Sequence, residues 1–126
     1  MKDLSNRVAI VTGSSSGVGA ATARLLASLG CHVVINYNSN SDGANEVAQD
    51  CIGEGVETLV CQGNVAEDED CQELVKQTMQ KWSRVDILIN NAGTTKFCDH
   101  ANLDGLDAAD FHRIYGVNVV GAYQMV

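Results

Sequence analysis

The stretch Thr12-Gly13-Ser14-Ser15-Ser16-Gly17-Val18-Gly19 constrains this chain more than any other. It follows an apolar run, Val8-Ala9-Ile10-Val11, and precedes a helical pattern. The context is strand, glycine turn, helix, an arrangement that holds a nucleotide phosphate. Gly13 lets the chain leave the strand at a backbone angle that a side chain resists. Gly17 omits a Cβ where a pyrophosphate must approach the backbone, and Gly19 lets the new helix pack closely. The N–H groups of the helix's first turn then face the anion.

The rest of the chain alternates strand and helix. Apolar runs predict strands over 7–11, 31–36, 56–61 and 85–90. Helical spacing predicts helices over 17–29, 42–53 and 67–82, and a last one from near Ala108 carrying Phe111, Ile114, Tyr115, Asn118 and Ala122. The expected apolar stripes are Val18, Ala21, Leu25 and Leu29, then Ala44, Val47, Ala48, Cys51 and Ile52, then Cys71, Leu74, Val75, Thr78, Met79 and Trp82. Gly30 is the expected C-cap of the first helix, and Asp42 the N-cap of the second. Glu67, Asp68, Glu69 and Asp70 read as a helix start that suits the dipole, with Lys81 and Arg84 at the far end. A polar loop is expected over 92–107.

Such alternation predicts an α/β fold, a Rossmann-like doubly wound parallel sheet in strand order 3-2-1-4 with flanking helices. The crevice between the first and fourth strands, at their carboxyl ends, is then the ligand site. The sheet is incomplete, and Val85-Asp86-Ile87-Leu88-Ile89 would be an apolar edge strand prone to pairing with another chain.

Composition narrows the function. The chain has 126 residues, enough for one core, with 45% apolar residues, 19% charged residues and a formal charge of −8. An acidic chain without a basic stripe is a poor match for nucleic acid or an anionic membrane, so an anionic ligand must be held locally. The five cysteines at 31, 51, 61, 71 and 98 form no C-x-x-C pair. They read as reduced thiols in a cytoplasmic protein and not as metal ligands. The N-terminus lacks the apolar core of a signal peptide.

The pattern Thr12, Gly13-x-x-x-Gly17-x-Gly19 resembles that of the short-chain dehydrogenase/reductase family. Three further elements carry the resemblance: Asn90-Asn91-Ala92-Gly93 after the fourth strand, Asn64-Val65 where the family usually has Asp-Val after the third, and Asn118 in Gly116-Val117-Asn118-Val119. The resemblance implies an NAD(P)-dependent oxidoreductase passing a hydride between nicotinamide and a carbonyl or secondary alcohol. It implies cofactor binding by Gly13, Ser14, Ser15, Ser16, Gly17, Val18, Gly19, Asn64, Val65, Asn91, Ala92 and Gly93. Asn118 is implied as the catalytic Asn that holds a water in the proton relay. The family's members are commonly dimers or tetramers.

An NAD site usually has an acidic residue at the end of the second strand. Here that end reads Asn36-Tyr37-Asn38-Ser39-Asn40-Ser41, with no carboxylate before Asp42. Asn38 and Ser39 are the expected partners of a 2′-phosphate, and the reading favours NADP, with NAD possible. No Arg or Lys occurs there or in the glycine turn.

The family's catalytic Tyr is followed by a Lys at the fourth position after it. Tyr37 is followed there by Ser41 and Tyr115 by Val119, and Tyr123 has no such residue. The expectation is therefore an N-terminal cofactor-binding half, residues 1–126, that binds cofactor but does not catalyse the redox step. The alternatives are a non-catalytic dinucleotide-binding module and a fragment without a function of its own. His32, His100, His112 and Lys96 are expected as structural or solvated residues.

Overall fold

The computed structural model describes residues 3–93, 105 and 107–126. Four strands form one parallel sheet: β1 (Val8–Val11), β2 (His32–Tyr37), β3 (Thr58–Gln62) and β4 (Ile87–Ile89). Their order is β3-β2-β1-β4, with Val8 opposite His32, Ala9 opposite Ile87 and Val33 opposite Thr58. The helices are α1 (Gly17–Ser28), α2 (Ser41–Gly53), α3 (Asp68–Trp82), α4 (Ala108–Tyr115) and α5 (Ala122–Met125). A π-helical turn, Gly116–Gly121, joins the last two. The expected doubly wound order is what the chain adopts.

Alternate residues of the strands feed two cores. Val11, Val33 and Ile35 pack with Ala20, Ala23 and Ala27 of α1 and Ala44, Val47, Ala48 and Cys51 of α2. Ile10, Val34 and Cys61 pack on the other face with Cys71 and Leu74 of α3 and Met125 of α5. Both faces are covered, which is why these strands read as continuous apolar runs.

The expected stripe of α1 is corrected. Val18 is 75% exposed and Leu25 62% exposed, whereas Gly19, Ala20, Ala23 and Ala27 are buried. The helix lies too near the sheet for large side chains, so size rather than hydrophobicity selects its inner face. Ile52 of α2 and Val75 and Met79 of α3 likewise stand at the exposed margins of their stripes. The cap of α2 is also corrected. Asn40 Oδ1 accepts the Gly43 N–H at 3.0 Å, and Asp42 lies one step inside, in the first turn.

β4 is one of the two edge strands, with β3 at the other side, and it is joined to β1 by more than its ladder. The Asp86 carboxylate accepts the Val8 N–H at 2.9 Å, and the Asp86 N–H donates back to the Val8 carbonyl at 2.9 Å. Arg84 clamps the same carboxylate at 2.7 and 2.6 Å. The Arg84 hydrogen bond, with help from Val8 and Arg7, holds the Asp86 carboxyl below its ordinary range.

His32 opens β2, at the opposite end of the strand from the glycine turn. Its Nδ1 accepts the Glu57 N–H at 3.0 Å and its ring stacks on Trp82, a structural role. His112 is exposed on α4. Most of the expected loop over 92–107, with Lys96, Cys98 and His100, lies outside the described residues.

Candidate functional site

β1 ends at Val11, and Gly13 turns the chain at φ +63°. A Cβ there would stand 2.8 Å from the Ala92 Cα, so the turn after β1 and the turn after β4 touch at Gly13. Thr12 stitches them together. Its hydroxyl accepts the N–H groups of Asn91 and Ala92, each at 3.0 Å. The Asn91 amide donates to the carbonyls of Thr12 at 3.2 Å and Gly13 at 3.1 Å.

Asn36, at the end of β2, extends the frame across the sheet. It is 2% exposed. Its Oδ1 accepts the Gly13 N–H at 3.0 Å, and its Nδ2 donates to the carbonyls of Cys61 and Gly63 at 3.3 and 3.2 Å. Its backbone N–H donates to the Ser14 hydroxyl at 3.0 Å, and that hydroxyl donates to the Val11 carbonyl at 2.8 Å. Ser14 is thus buried and structural, a support of the turn. The two amide donors of Asn36 are spent on the frame too.

Gly17 also has a positive φ, +57°, but no atom stands within 4 Å of where its Cβ would point. Gly19 is the opposite case: a Cβ there would collide with the Asn91 amide, the Gly13 carbonyl and Ser14. Gly19 therefore permits close packing on the two turns, and Gly17 leaves open space beside the helix start. Ser16 precedes α1 without a side-chain cap, and the first turn of α1 carries no acidic residue. By contrast Asn40 caps α2, and Asp107 and Asp110 form a capping box on α4. The α1 terminus keeps the unpaired donors and positive dipole end that suit an anion.

These turns open on a cleft of about 460 Å³ at the carboxyl ends of the strands. The β1 end contributes Gly13, Ser15 and Ser16, and the β4 end contributes Asn91, Ala92 and Gly93. The β2 end contributes Asn36, Tyr37, Asn38, Ser39 and Asn40, and the β3 end contributes Gly63, Asn64 and Val65. The Gln62 amide donates to the Asn38 carbonyl at 3.0 Å, which holds the β2 end in place. Asn64 Oδ1 accepts the Ala66 N–H at 3.0 Å, so one of its acceptor sites serves its own turn.

Of the expected site residues, Ser14, Gly17, Val18, Gly19 and Asn118 are not in the cleft's wall. Ser14 and Gly19 lie beneath it, and Val18 points to solvent. Asn118 stands on the π-helical turn, its Oδ1 3.3 Å from where a Gly93 Cβ would be, so its amide sits beside the β4 end of the cleft. π-helical turns often occur at functional positions.

Sequence reasoning missed Arg113 and Val117, which close the cleft from α4 and the π-helical turn. Among the described lining residues Arg113 is the only Lys or Arg, and none is Asp or Glu. No local signal announces Arg113, because it reaches the cleft only through the crossing of α4.

Cys31, Cys51, Cys61 and Cys71 are free and buried. Burial pushes the Cys31 and Cys51 thiols up to about 11, with Asp86 adding to the effect at Cys31, and raises Cys61 and Cys71. They are protonated packing residues. Among the described residues no group of three or more His, Cys, Asp or Glu could hold a metal, and no helix is long and apolar enough to cross a membrane.

Comparison with known proteins agrees with this geometry. A 3-oxoacyl-[acyl-carrier-protein] reductase of Synechocystis sp. is 38% identical over 98% of this chain and 49% of its own length. An L-rhamnose 1-dehydrogenase (NAD(P)(+)) of Sphingomonas sp. is 37% identical over 100% of this chain and 48% of its own. The crystal structure of a short chain dehydrogenase from Burkholderia cenocepacia in complex with NADP superposes with a TM-score of 0.89, at 30% identity, covering 97% of this chain and 49% of that one. The chain spans about half the length of the curated relatives it matches. The family profile described as short chain dehydrogenase matches residues 7–126, and the chain belongs to that family of oxidoreductases.

Proposed function

We propose that these 126 residues are the dinucleotide-binding half of an NAD(P)-dependent oxidoreductase acting on a carbonyl or secondary alcohol, with NADP the favoured cofactor. The observation that carries the reading is the cleft: in a chain of net charge −8, none of the described lining residues is a carboxylate, and the cleft lies over an uncapped helix start. The open space beside Gly17 fits a diphosphate approaching the backbone.

The nicotinamide, when bound, supplies the hydride chemistry. The chain's own residues do the rest of what this half can do. Backbone N–H groups of Ser15, Ser16 and the first turn of α1 bind the diphosphate. Ser14 and Gly19 hold that turn, and Val18 takes part through its backbone alone. Asn64 and Val65 flank the adenine, Asn38 and Ser39 meet its ribose, and Asn91, Ala92 and Gly93 line the end where the reaction occurs. Asn118 is a positioning residue that holds a water for proton transfer.

The reading assigns the proton-transferring Tyr and its Lys to the other half of a longer protein, which would act as a homo-oligomer in the cytoplasm. The 126-residue piece alone then binds cofactor without turnover. The test is calorimetric titration of the full-length protein with NADPH and NADH, followed by an assay of NADPH-dependent carbonyl reduction. Binding of NADPH tighter than NADH, with turnover, is expected. Binding of neither dinucleotide sinks the reading, and equal or tighter NADH binding sinks the NADP preference.

A further inference from the structure

We infer that Gln124 is a positioning residue: its amide anchors the helix that carries Asn118 and so keeps Asn118 at the β4 end of the cleft. The inference rests on the role of Asn118 in the reading above.

Helix α4, the π-helical turn and α5 form one continuous helix, whose backbone stays right-handed through Tyr115, Gly116, Gly121 and Ala122. A π-helical turn holds one residue more than an α turn and is rare, so contacts outside it must favour it. Those contacts lie at both of its ends. At the start, a Gly116 Cβ would stand 3.4 Å from the Ala66 Cβ, and Val117 packs on the core of Ile10 and Val34. At the end, a Gly121 Cβ would collide with Val65, so the helix crosses the turn after β3 at backbone distance. Just beyond, the Gln124 amide donates to the Val65 carbonyl at 2.7 Å, and the Asn90 amide donates to the Ala122 carbonyl at 3.3 Å. The Gln124 bond is the shorter of the two and is partly buried, whereas the Asn90 bond is exposed.

Val65 is a firm anchor. It is 5% exposed, and its carbonyl also accepts the Cys71 thiol of α3 at 3.3 Å. The Asn64 N–H next to it donates to the Asp70 carboxylate of α3 at 2.9 Å. The helix is therefore held before and after Asn118, and the extra residue of the π-helical turn takes up the mismatch between the two anchors. Relaxed to α geometry, one side of the turn would rotate by about 100° against the other. Asn118 would then leave Gly93, where its Oδ1 now stands 3.3 Å from the position of a Cβ.

The experiment uses the full-length protein with Gln124→Met, Asn118→Ala and the double variant. It reads kcat and KM for NADPH-dependent carbonyl reduction, the NADPH dissociation constant and the melting temperature. Gln124→Met keeps the bulk and removes the donor. Its kcat should fall by about tenfold, with KM and NADPH affinity within about twofold of wild type. The loss should vanish in the Asn118→Ala background, because a residue that acts through Asn118 then has nothing left to position. Gln124→Arg, which restores an N–H donor, should recover part of kcat. A crystal structure of unliganded Gln124→Met should show the turn relaxed to α geometry and Asn118 displaced from Gly93. If Gln124→Met melts early, Gln124→Asn, which stays polar but falls short of the carbonyl, carries the same test. Wild-type kcat in Gln124→Met, losses that add in the double variant, or an unchanged π-helical turn overturns the inference while Asn118 keeps its role. Full kcat in Asn118→Ala, or a wild type without turnover, overturns the reading of Asn118 and the inference with it.

Discussion

Thr12 and Asn91, 79 residues apart, hold each other reciprocally: the Thr12 hydroxyl accepts the Asn91 N–H, and the Asn91 amide donates to the Thr12 carbonyl. One side chain from each turn thus ties the ends of β1 and β4 across the cleft. Thr12→Val keeps the shape and leaves the Ala92 N–H without its acceptor, while the Asn91 N–H keeps only the Ile89 carbonyl at 3.1 Å. The expected loss is about 1–3 kcal/mol of stability, measured by urea unfolding, with weaker NADPH binding. A variant as stable as wild type would show that the two turns hold together without Thr12.

Gly17 and Gly19 are predicted to fail in different ways. Gly17→Ala places a methyl group in open space at a strained φ, so the protein should fold with a penalty of about 1 kcal/mol. On the proposed reading the same methyl group stands where the diphosphate approaches, so NADPH affinity should fall at least tenfold. Gly19→Ala drives a methyl group into Asn91, Gly13 and Ser14, so the melting temperature itself should collapse. Calorimetry and thermal melts on both variants separate the two roles. Equal behaviour of the two would remove the distinction.

Asn36→Asp tests the buried frame. The substitution keeps the volume but turns a donor facing the Cys61 and Gly63 carbonyls into an acceptor. Repulsion and lost hydrogen bonds should destabilise the fold by about 2–4 kcal/mol at neutral pH, partly recovered in acid as the carboxyl protonates. Chemical unfolding at two pH values reads the effect. A neutral outcome would mean that Asn36 is more accessible to water than its burial states.

Alkaline pH should erode stability through the buried thiols. An exposed thiol ionises near about 8.5, whereas Cys31 and Cys51 are pushed up to about 11 by burial. The folded state therefore keeps protons that the unfolded state sheds. The stabilisation is intact below about pH 8.5 and is lost as pH rises toward 11, at about 1.4 kcal/mol per pH unit for each thiol. Urea unfolding in reducing buffer should show this decline, and the double variant Cys31→Ala, Cys51→Ala should show a shallower one. An identical slope in the variant would assign the decline to other groups.

Much of the site was legible in the chain because its parts are local. The glycine turn, Asn91 to Gly93 and Asn64 with Val65 each sit directly after a strand, where backbone geometry follows from a few residues. The inner face of α1 was not legible, because Ala20, Ala23 and Ala27 were chosen by how closely the helix approaches the sheet. Periodicity weighted toward large side chains selects Val18 and Leu25 instead, and both are exposed. Nor could the sequence separate Asn36 from Asn38. The two stand two residues apart in the same strand end, and only one is consumed by the carbonyls of a neighbouring strand.

By itself the sequence determined the class of fold, the strand order and the glycine turn after β1, since alternating apolar runs and glycine spacing express backbone constraints that act over a few residues. Tertiary structure alone decided which polar side chains became frame and which became wall, and it alone brought Arg113 over the cleft. Those outcomes depend on how elements far apart in the chain cross, and a crossing is set by packing over the whole core, which leaves no mark on the residues next to Arg113.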